Sequence, residues 1–209
     1  MIDLYSWQTS NGRKVSIALE EMGLDYTVHP INISADDQFT PAFTALNPNQ
    51  KIPAVVDSDG PDDTPITIFE SGAILIYLAR KSGQFLPRDP RAEYETLQWL
   101  MLQMGGIGPI FGQVHHFKRA AKETVPYALE RYGKECLRLY GVLDQRLSQH
   151  DFVAAGEYTI ADIAIFPWVA RSEWQEVNLD EFPHVLRWYE TIERRPAVQR
   201  GMLIPPRPD

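Results

Sequence analysis

The chain has 209 residues, of which 44% are hydrophobic and 23% are charged, a composition that is typical of a folded globular protein and excludes a largely disordered one. Acidic residues (28) outnumber basic ones (20), and the net charge of −8 argues against a nucleic-acid partner, because phosphate binding needs an excess of Lys and Arg. The longest apolar run covers only residues 73–79, far short of the about 20 residues that cross a bilayer.

The first part of the chain alternates between strand and helix patterns. Short apolar segments predict strands over residues 2–6, 26–33, 52–56 and 66–69. Val15, Ala18, Leu19 and Met22 have the spacing of one helix face, and Gly23 is the expected C-cap. Residues 71–81 predict a second, largely buried helix. The order of these elements predicts a compact α/β unit with one parallel strand pair.

The segment GQFLPRDP (residues 83–90) contains two prolines and a glycine, which favour a linker. We therefore predict two domains, residues 1–87 and residues 88–209. Residues 1–87 hold 5 basic and 11 acidic residues, a net charge of −6, whereas the remainder is close to neutral.

The second domain is predicted to be all-helical. Helix patterns cover residues 91–104, 129–147 and 183–194, and we expect the glycines and the proline of residues 105–109 to interrupt the first of them. Thr159 and Asp162 have the spacing of a capping box before an apolar run. The proline-rich tail, residues 205–209, is not expected to form regular structure.

Three motifs in this order resemble the cytosolic glutathione transferases: NPNQKIPAV (residues 47–55), FESGAI (residues 69–74) and the TIAD capping box (residues 159–162). The resemblance implies an N-terminal thioredoxin-like glutathione-binding domain and an all-helical C-terminal domain. The start TSNGRK (residues 9–14), with GGIGP (105–109), GQVHHF (112–117) and PYALERY (126–132), is similar to the bacterial nu class. Members of that class are glutathione-dependent disulfide-bond oxidoreductases. Ser10 departs from the pattern, because relatives often have proline there.

Glutathione carries an ammonium group, two carboxylates and a thiol, and the motifs offer a group for each. Ser71 opens a predicted helix, where its hydroxyl and backbone N–H suit the γ-glutamyl carboxylate, and the resemblance places Glu70 near the ammonium group. The resemblance implies a cis Ile52–Pro53 bond, which would turn the Ile52 backbone towards the cysteinyl residue of the peptide. Lys51 is the candidate cation for the glycine carboxylate.

Polar residues before the first helix are candidates for the sulfur. Thr9 and Asn11 can both donate hydrogen bonds to a thiolate and so favour its formation, and we predict that they are catalytic. Gln38 is a weaker candidate for glutathione binding. The resemblance also gives Arg131 a role at a glutathione carboxylate, within one subunit or across a dimer.

The chain has one cysteine, Cys136, which falls on an apolar helix face, so we expect a structural role for it and neither a disulfide nor a protein thiol relay. No metal site is expected, because His115 and His116 are adjacent and point apart on a helix. The N-terminus has no signal-peptide pattern, and we expect a cytoplasmic location.

The predicted function is glutathione-dependent disulfide reduction by a homodimer, with reduced or oxidised glutathione as co-substrate and no metal. Conjugation of glutathione to electrophiles, or reduction of organic peroxides, would use the same site and remains open. A non-catalytic protein that binds glutathione or a regulatory partner is the third alternative.

Overall fold

The structure is a computed structural model, and it describes residues 1–206. Contacts divide the chain into two compact units: Met1–Gln84 together with the segment from Arg194 onwards, and Phe85–Glu193. The expected division into 1–87 and 88–209 therefore differs at the C-terminal end, which returns to the first unit. The last three residues of the proline-rich tail lie outside the described residues.

The first unit is built on a four-stranded sheet in the order β2-β1-β3-β4. Its strands are β1 (Ile2–Ser6), β2 (Tyr26–Pro30), β3 (Ala54–Asp57) and β4 (Ile66–Phe69). β1 is parallel to β2 and antiparallel to β3, and β3 is antiparallel to β4. β2 ends at Pro30 where residues 26–33 were predicted, and β3 covers residues 54–57 where residues 52–56 were predicted.

Three helices connect and cover this sheet: α1 (Ser10–Met22), α2 (Pro41–Leu46) and α3 (Ser71–Ser82). The apolar face of α1 is buried, and Gly23 ends the helix in the left-handed conformation, as the sequence predicts. Helices α1 and α3 pack against each other. This is the predicted thioredoxin-like arrangement of the N-terminal domain.

The segment after residue 193 completes the first unit with helix α10 (Pro196–Gly201), which packs on α1. At Gly201 the two backbones approach so closely that a β-carbon would lie 2.6 Å from Ile17 Cα. The Ser16 hydroxyl donates to the Gly201 carbonyl at 2.6 Å, and Arg195 forms a two-pronged ion pair with Glu21 at 2.6 and 2.8 Å. Gly201 thus allows α10 to lie directly against α1, although the two helices are far apart in the sequence.

The second unit is all-helical, as predicted. Its helices are α4 (Pro90–Leu102), α5 (Gly108–His115), α6 (Pro126–Leu147), α7 (Ile160–Val169), α8 (Ser172–Gln175) and α9 (Pro183–Glu193). The predicted interruption at residues 105–109 is confirmed for the α-helix, since α4 ends at Leu102 and α5 begins at Gly108, but the chain stays helical between them. A π-helical turn, Gln103–Ile107, contains Gly105 and Gly106, and Gly108 and Pro109 are the first residues of α5.

The capping box of α7 is confirmed and lies at the centre of this unit. The fully buried Asp162 carboxylate accepts from the Thr159 N–H at 3.0 Å, and it also accepts from Val153 N–H and Trp188 Nε1. Burial raises the pKa of Asp162 to about 6, although these hydrogen bonds oppose the shift. Among residues 1–206 there is no helix whose length and apolar character would allow it to span a membrane.

Candidate active site

Three of the predicted site segments converge at one end of the sheet in the first unit. In the ladder, Tyr5 is paired with Ala54, and Ala54 with Phe69. The strand directions therefore bring together the end of β1, the start of β3 and the end of β4. The turn before α1, the Ile52–Pro53 bond and the Glu70–Ser71 pair follow or precede those positions directly.

The turn between β1 and α1 places Thr9 at the helix N-cap. The Thr9 hydroxyl oxygen accepts a hydrogen bond from the Gly12 N–H at 3.1 Å, and its own proton can still be donated. Asn11 lies in the first turn of the same helix. Within the described chain, this first turn carries no acidic side chain, so no carboxylate of that turn neutralises the positive end of the α1 dipole.

The loop before β3 is organised by Asn47, which is 1% exposed. Its amide nitrogen donates to the Lys51 carbonyl at 2.6 Å, and its amide oxygen accepts from the Asn49 N–H at 2.9 Å. The Ile52–Pro53 bond is cis, as the family resemblance implies, and Pro53 is buried. Lys51 itself is exposed.

The residues between β4 and α3 combine strain with a helix N-terminus. Glu70 has φ +69°, in the left-handed region that is unfavourable for a non-glycine residue. Such a conformation costs on the order of 1–3 kcal/mol and occurs preferentially at functional sites. Ser71, the first residue of α3, is 4% exposed. Glu70 is exposed beside it, so an acidic group and a helix N-terminus lie next to each other.

Lys14 was not among the predicted site residues, but the structure links it to them. It is 1% exposed, and its ammonium group donates to the Ser71 hydroxyl oxygen at 3.2 Å. Burial lowers the pKa of Lys14 to about 7, and the negative charge of Glu70 partly offsets the shift. A signal for this lysine is present in TSNGRK, because it occupies the face of α1 that also carries Val15 and Ala18.

Gln38 lies in a short 3₁₀ helix, Asp37–Phe39, after β2. Within residues 1–206, its Oε1 atom is buried and has no hydrogen-bond partner. A buried amide oxygen that accepts no hydrogen bond is costly, and a donor on a ligand would satisfy it. This supports the prediction that Gln38 contacts a ligand.

Arg131 lies in the second unit, exposed on α6, and its role stays a prediction. Cys136 is on the same helix but buried, and burial raises the pKa of its thiol to about 12. A thiol in that state does not ionise near neutral pH, so it is a poor nucleophile. Among the described residues, no group of three or more His, Cys, Asp or Glu side chains could hold a metal ion.

Comparisons with known proteins support the resemblance seen in the sequence. The models of the N-terminal and C-terminal domains of glutathione S-transferase match residues 10–81 and 111–196. The chain is 47% identical to the disulfide-bond oxidoreductase YfcG of Escherichia coli K12, over 97% of this chain and 95% of that protein.

Two solved structures are similar throughout. A glutathione transferase from Burkholderia graminis, with two glutathione molecules bound per subunit, has a TM-score of 0.94 and 47% identity, covering 99% of this chain and 89% of that one. A glutathione transferase from Pseudomonas putida, with one glutathione disulfide bound per subunit, has a TM-score of 0.92 and 49% identity, covering 98% and 91%. The resemblance seen in the sequence is confirmed, and the chain belongs to the glutathione S-transferase family.

Proposed function

We propose that this chain is a glutathione-dependent disulfide-bond oxidoreductase that works through the thiolate of bound glutathione. The observation that carries the proposal is the convergence of the Thr9 turn, the Ile52–Pro53 bond and the Glu70–Ser71 pair at one end of the sheet. The naming of YfcG as a disulfide-bond oxidoreductase, at 47% identity, supports the choice of reaction.

Each end of the glutathione peptide has a proposed partner. Ser71 binds the γ-glutamyl carboxylate at the positive end of α3, and Glu70 pairs with the ammonium group. The backbone of Ile52, turned by Pro53, hydrogen-bonds the cysteinyl residue in strand fashion. Lys51 meets the glycine carboxylate, and Gln38 uses its buried amide oxygen to accept from the peptide.

The sulfur lies at the N-terminus of α1 in this arrangement. The Thr9 hydroxyl and the Asn11 amide donate hydrogen bonds to it, and the α1 dipole adds a further favourable field. All of these interactions are stronger with a thiolate than with a thiol, so they lower the pKa of the bound thiol from its usual value of about 8.5. Thr9 and Asn11 are thus the proposed catalytic residues.

The reaction then needs no cysteine of the protein. The bound thiolate attacks one sulfur of the substrate disulfide, a mixed disulfide forms, and the other half leaves as a thiolate that takes up a proton. A second glutathione thiolate attacks the mixed disulfide and releases the second substrate thiol. Two glutathiones are oxidised to glutathione disulfide, and one substrate disulfide is reduced to two thiols.

The stoichiometry requires that two glutathione sulfurs meet in one site. The Burkholderia graminis relative binds two glutathiones per subunit, and the Pseudomonas putida relative binds one glutathione disulfide. We propose the same capacity here, with Arg131 holding a glutathione carboxylate. A homodimer and a cytoplasmic location complete the proposal, the latter because the reaction consumes reduced glutathione.

The test is glutathione-dependent reduction of 2-hydroxyethyl disulfide, with the product glutathione disulfide coupled to NADPH oxidation by glutathione reductase. We expect turnover that greatly exceeds conjugation of an aryl halide under the same conditions. Tight glutathione binding without disulfide turnover would contradict the proposal and favour conjugation or a binding role. Cys136→Ala is the matched control, because it removes the chain's one thiol and is expected to leave turnover intact.

A further inference from the structure

The C-terminal segment, residues 194–206, runs along α1 in the opposite direction to that helix. Three contacts mark its course: Arg195 with Glu21, Gly201 with Ser16, and Pro205 with Gln8. The first contact is at the last turn of α1, the second is in the middle of the helix, and the third is in the turn that precedes it. The segment therefore ends beside the turn that carries Thr9.

The third contact is a hydrogen bond between a side chain of that turn and the backbone of the C-terminal segment. The Gln8 amide nitrogen donates to the Pro205 carbonyl oxygen at 2.5 Å. Pro205 is buried and Gln8 is half-buried, so water competes only weakly for the two polar groups. A bond in such surroundings holds the residue next to Thr9 in one place.

Close backbone contacts fix the same turn from the side of α1. The Thr9 N–H donates to the Trp7 carbonyl at 2.7 Å, which places Gln8 at the apex of a three-residue turn. A β-carbon at Gly12 would lie 2.2 Å from the Trp7 carbonyl oxygen, so glycine is needed where α1 meets the turn. The turn is thus held by contacts with both α1 and the C-terminal segment.

We infer that Gln8 is a positioning residue for the glutathione sulfur, and that it acts through the Pro205 carbonyl to keep the Thr9 hydroxyl where it can donate. The inference rests on the proposed function, which places the sulfur at Thr9. Gln8 needs no contact with glutathione for this role, because it acts on the backbone of the adjacent residue. Functional groups must be held within about 0.5 Å of the productive geometry, so a tether one residue away affects the hydrogen bond to the thiolate.

The experiment compares the wild type with Gln8→Met, which keeps the length of the side chain but cannot donate. The loss of one neutral hydrogen bond changes an equilibrium by about two- to tenfold. With glutathione at saturation, the pKa of the bound thiol, followed by thiolate absorbance, should therefore rise by about 0.3–1 unit. Turnover of 2-hydroxyethyl disulfide below that pKa should fall by about two- to tenfold. The affinity for S-methylglutathione, which has no thiol to activate, should stay within about twofold of the wild type.

A matched control is available at the other end of α1. The Gln84 side-chain amide donates to the Met22 carbonyl at 3.2 Å, a bond of the same kind as that between Gln8 and Pro205. Gln84→Met should leave the thiol pKa and the disulfide turnover unchanged. The comparison separates the loss of the tether at the turn from a general loosening of α1.

A shortened chain separates this bond from every other contact of Gln8. A chain that ends at Leu203 keeps α10 but lacks the Pro205 carbonyl, so its thiol pKa should already be raised by the same amount. Adding Gln8→Met to that chain should change the thiol pKa by less than about 0.2 unit, because two changes that break the same bond are not additive.

The outcomes distinguish this inference from the proposed function. A wild-type protein that does not bind glutathione would overturn both. An unchanged thiol pKa and turnover in folded Gln8→Met would overturn the role of Gln8 and leave the reaction standing, as would an undiminished effect of Gln8→Met in the shortened chain.

A variant that fails to fold does not remove the test. If the shortened chain does not fold, the two full-length variants decide, because equal shifts of the thiol pKa in Gln8→Met and Gln84→Met would refute the inference. If Gln8→Met does not fold, an unchanged thiol pKa in the shortened chain would refute it instead.

Discussion

Replacing Thr9 by alanine tests whether the protein activates the glutathione sulfur. In the free protein the hydroxyl oxygen already accepts from the Gly12 N–H at 3.1 Å, so only its proton is offered to a ligand. A hydrogen bond to a charged partner contributes about 1.5–3 kcal/mol, and one pKa unit corresponds to about 1.36 kcal/mol. Thr9→Ala should therefore raise the pKa of the bound thiol by about 1–2 units.

The measurement is the ultraviolet absorbance of the thiolate as a function of pH, with glutathione bound at saturation. If the bound thiol is ionised at neutral pH in the wild type but not in the variant, disulfide turnover at that pH should fall in proportion to the thiolate fraction. The fall should be about tenfold for each unit by which the thiol pKa is raised. Turnover of the variant should recover as the pH is raised through the new pKa.

The same substitution also removes a helix cap, which by itself costs about 0.5–2 kcal/mol of stability. Thr40→Ala is the matched control, because Thr40 caps α2 through a contact with the Phe43 N–H at 3.4 Å. It should lower stability and leave the thiol pKa unchanged. Thr9→Ser keeps both functions of the hydroxyl. An unchanged titration in Thr9→Ala, with glutathione still bound, would refute the catalytic role of Thr9.

Four further substitutions test other parts of the structure. Asn47→Ala should weaken glutathione binding measured by calorimetry, since it releases the loop that ends in Lys51; an unchanged affinity would show that the loop holds its shape without Asn47. Cys136→Ala should retain disulfide turnover, and its loss in a folded variant would reveal a protein thiol in the reaction. Gly201→Ala should lower the midpoint of urea unfolding, because its β-carbon meets backbone at 2.6 Å; no change would mean that the contact relaxes freely. Between about pH 4 and 6, Asp162 is still protonated in the folded protein but already ionised in the unfolded chain. The free energy of unfolding therefore falls as pH rises through this window, by about 3 kcal/mol for this group. Asp162→Asn, which cannot ionise, should flatten that pH dependence in urea unfolding, whereas an unaltered slope would assign it to another group.

Elements with a local signature were predictable from the sequence. β1 and β4 have the predicted bounds, and α1 ends at Gly23, because alternating burial, helical spacing and a left-handed cap are each encoded within a few residues. The capping box at Thr159 is equally local and is confirmed. The convergence of the site segments follows from family resemblance more than from periodicity, since strand order is a long-range property.

Features that depend on distant contacts were not predictable in this way. Pro196 and the residues after it contain no signal that they return to α1, and the contact depends on Gly201 meeting Ile17. The glycines of residues 105–109 favour a break, but Gly105 and Gly106 lie in a π-helical turn and Gly108 begins α5, so the chain stays helical. Lys14 would be assigned to the surface by its charge, although it shares a helix face with Val15 and Ala18, and the structure shows that it is buried.

The arrangement of positive groups explains how an acidic domain can bind an acidic peptide. Residues 1–87 have a net charge of −6, so the long-range field opposes glutathione, and attraction must come from groups close to the ligand. Lys51 is exposed, and salt screens it. The N-termini of α1 and α3 attract an anion at short range through the partial positive charge of each helix dipole. Under the proposed function, specificity for glutathione over other thiols lies at the γ-glutamyl end, where the strained Glu70 and Ser71, the first residue of α3, lie side by side.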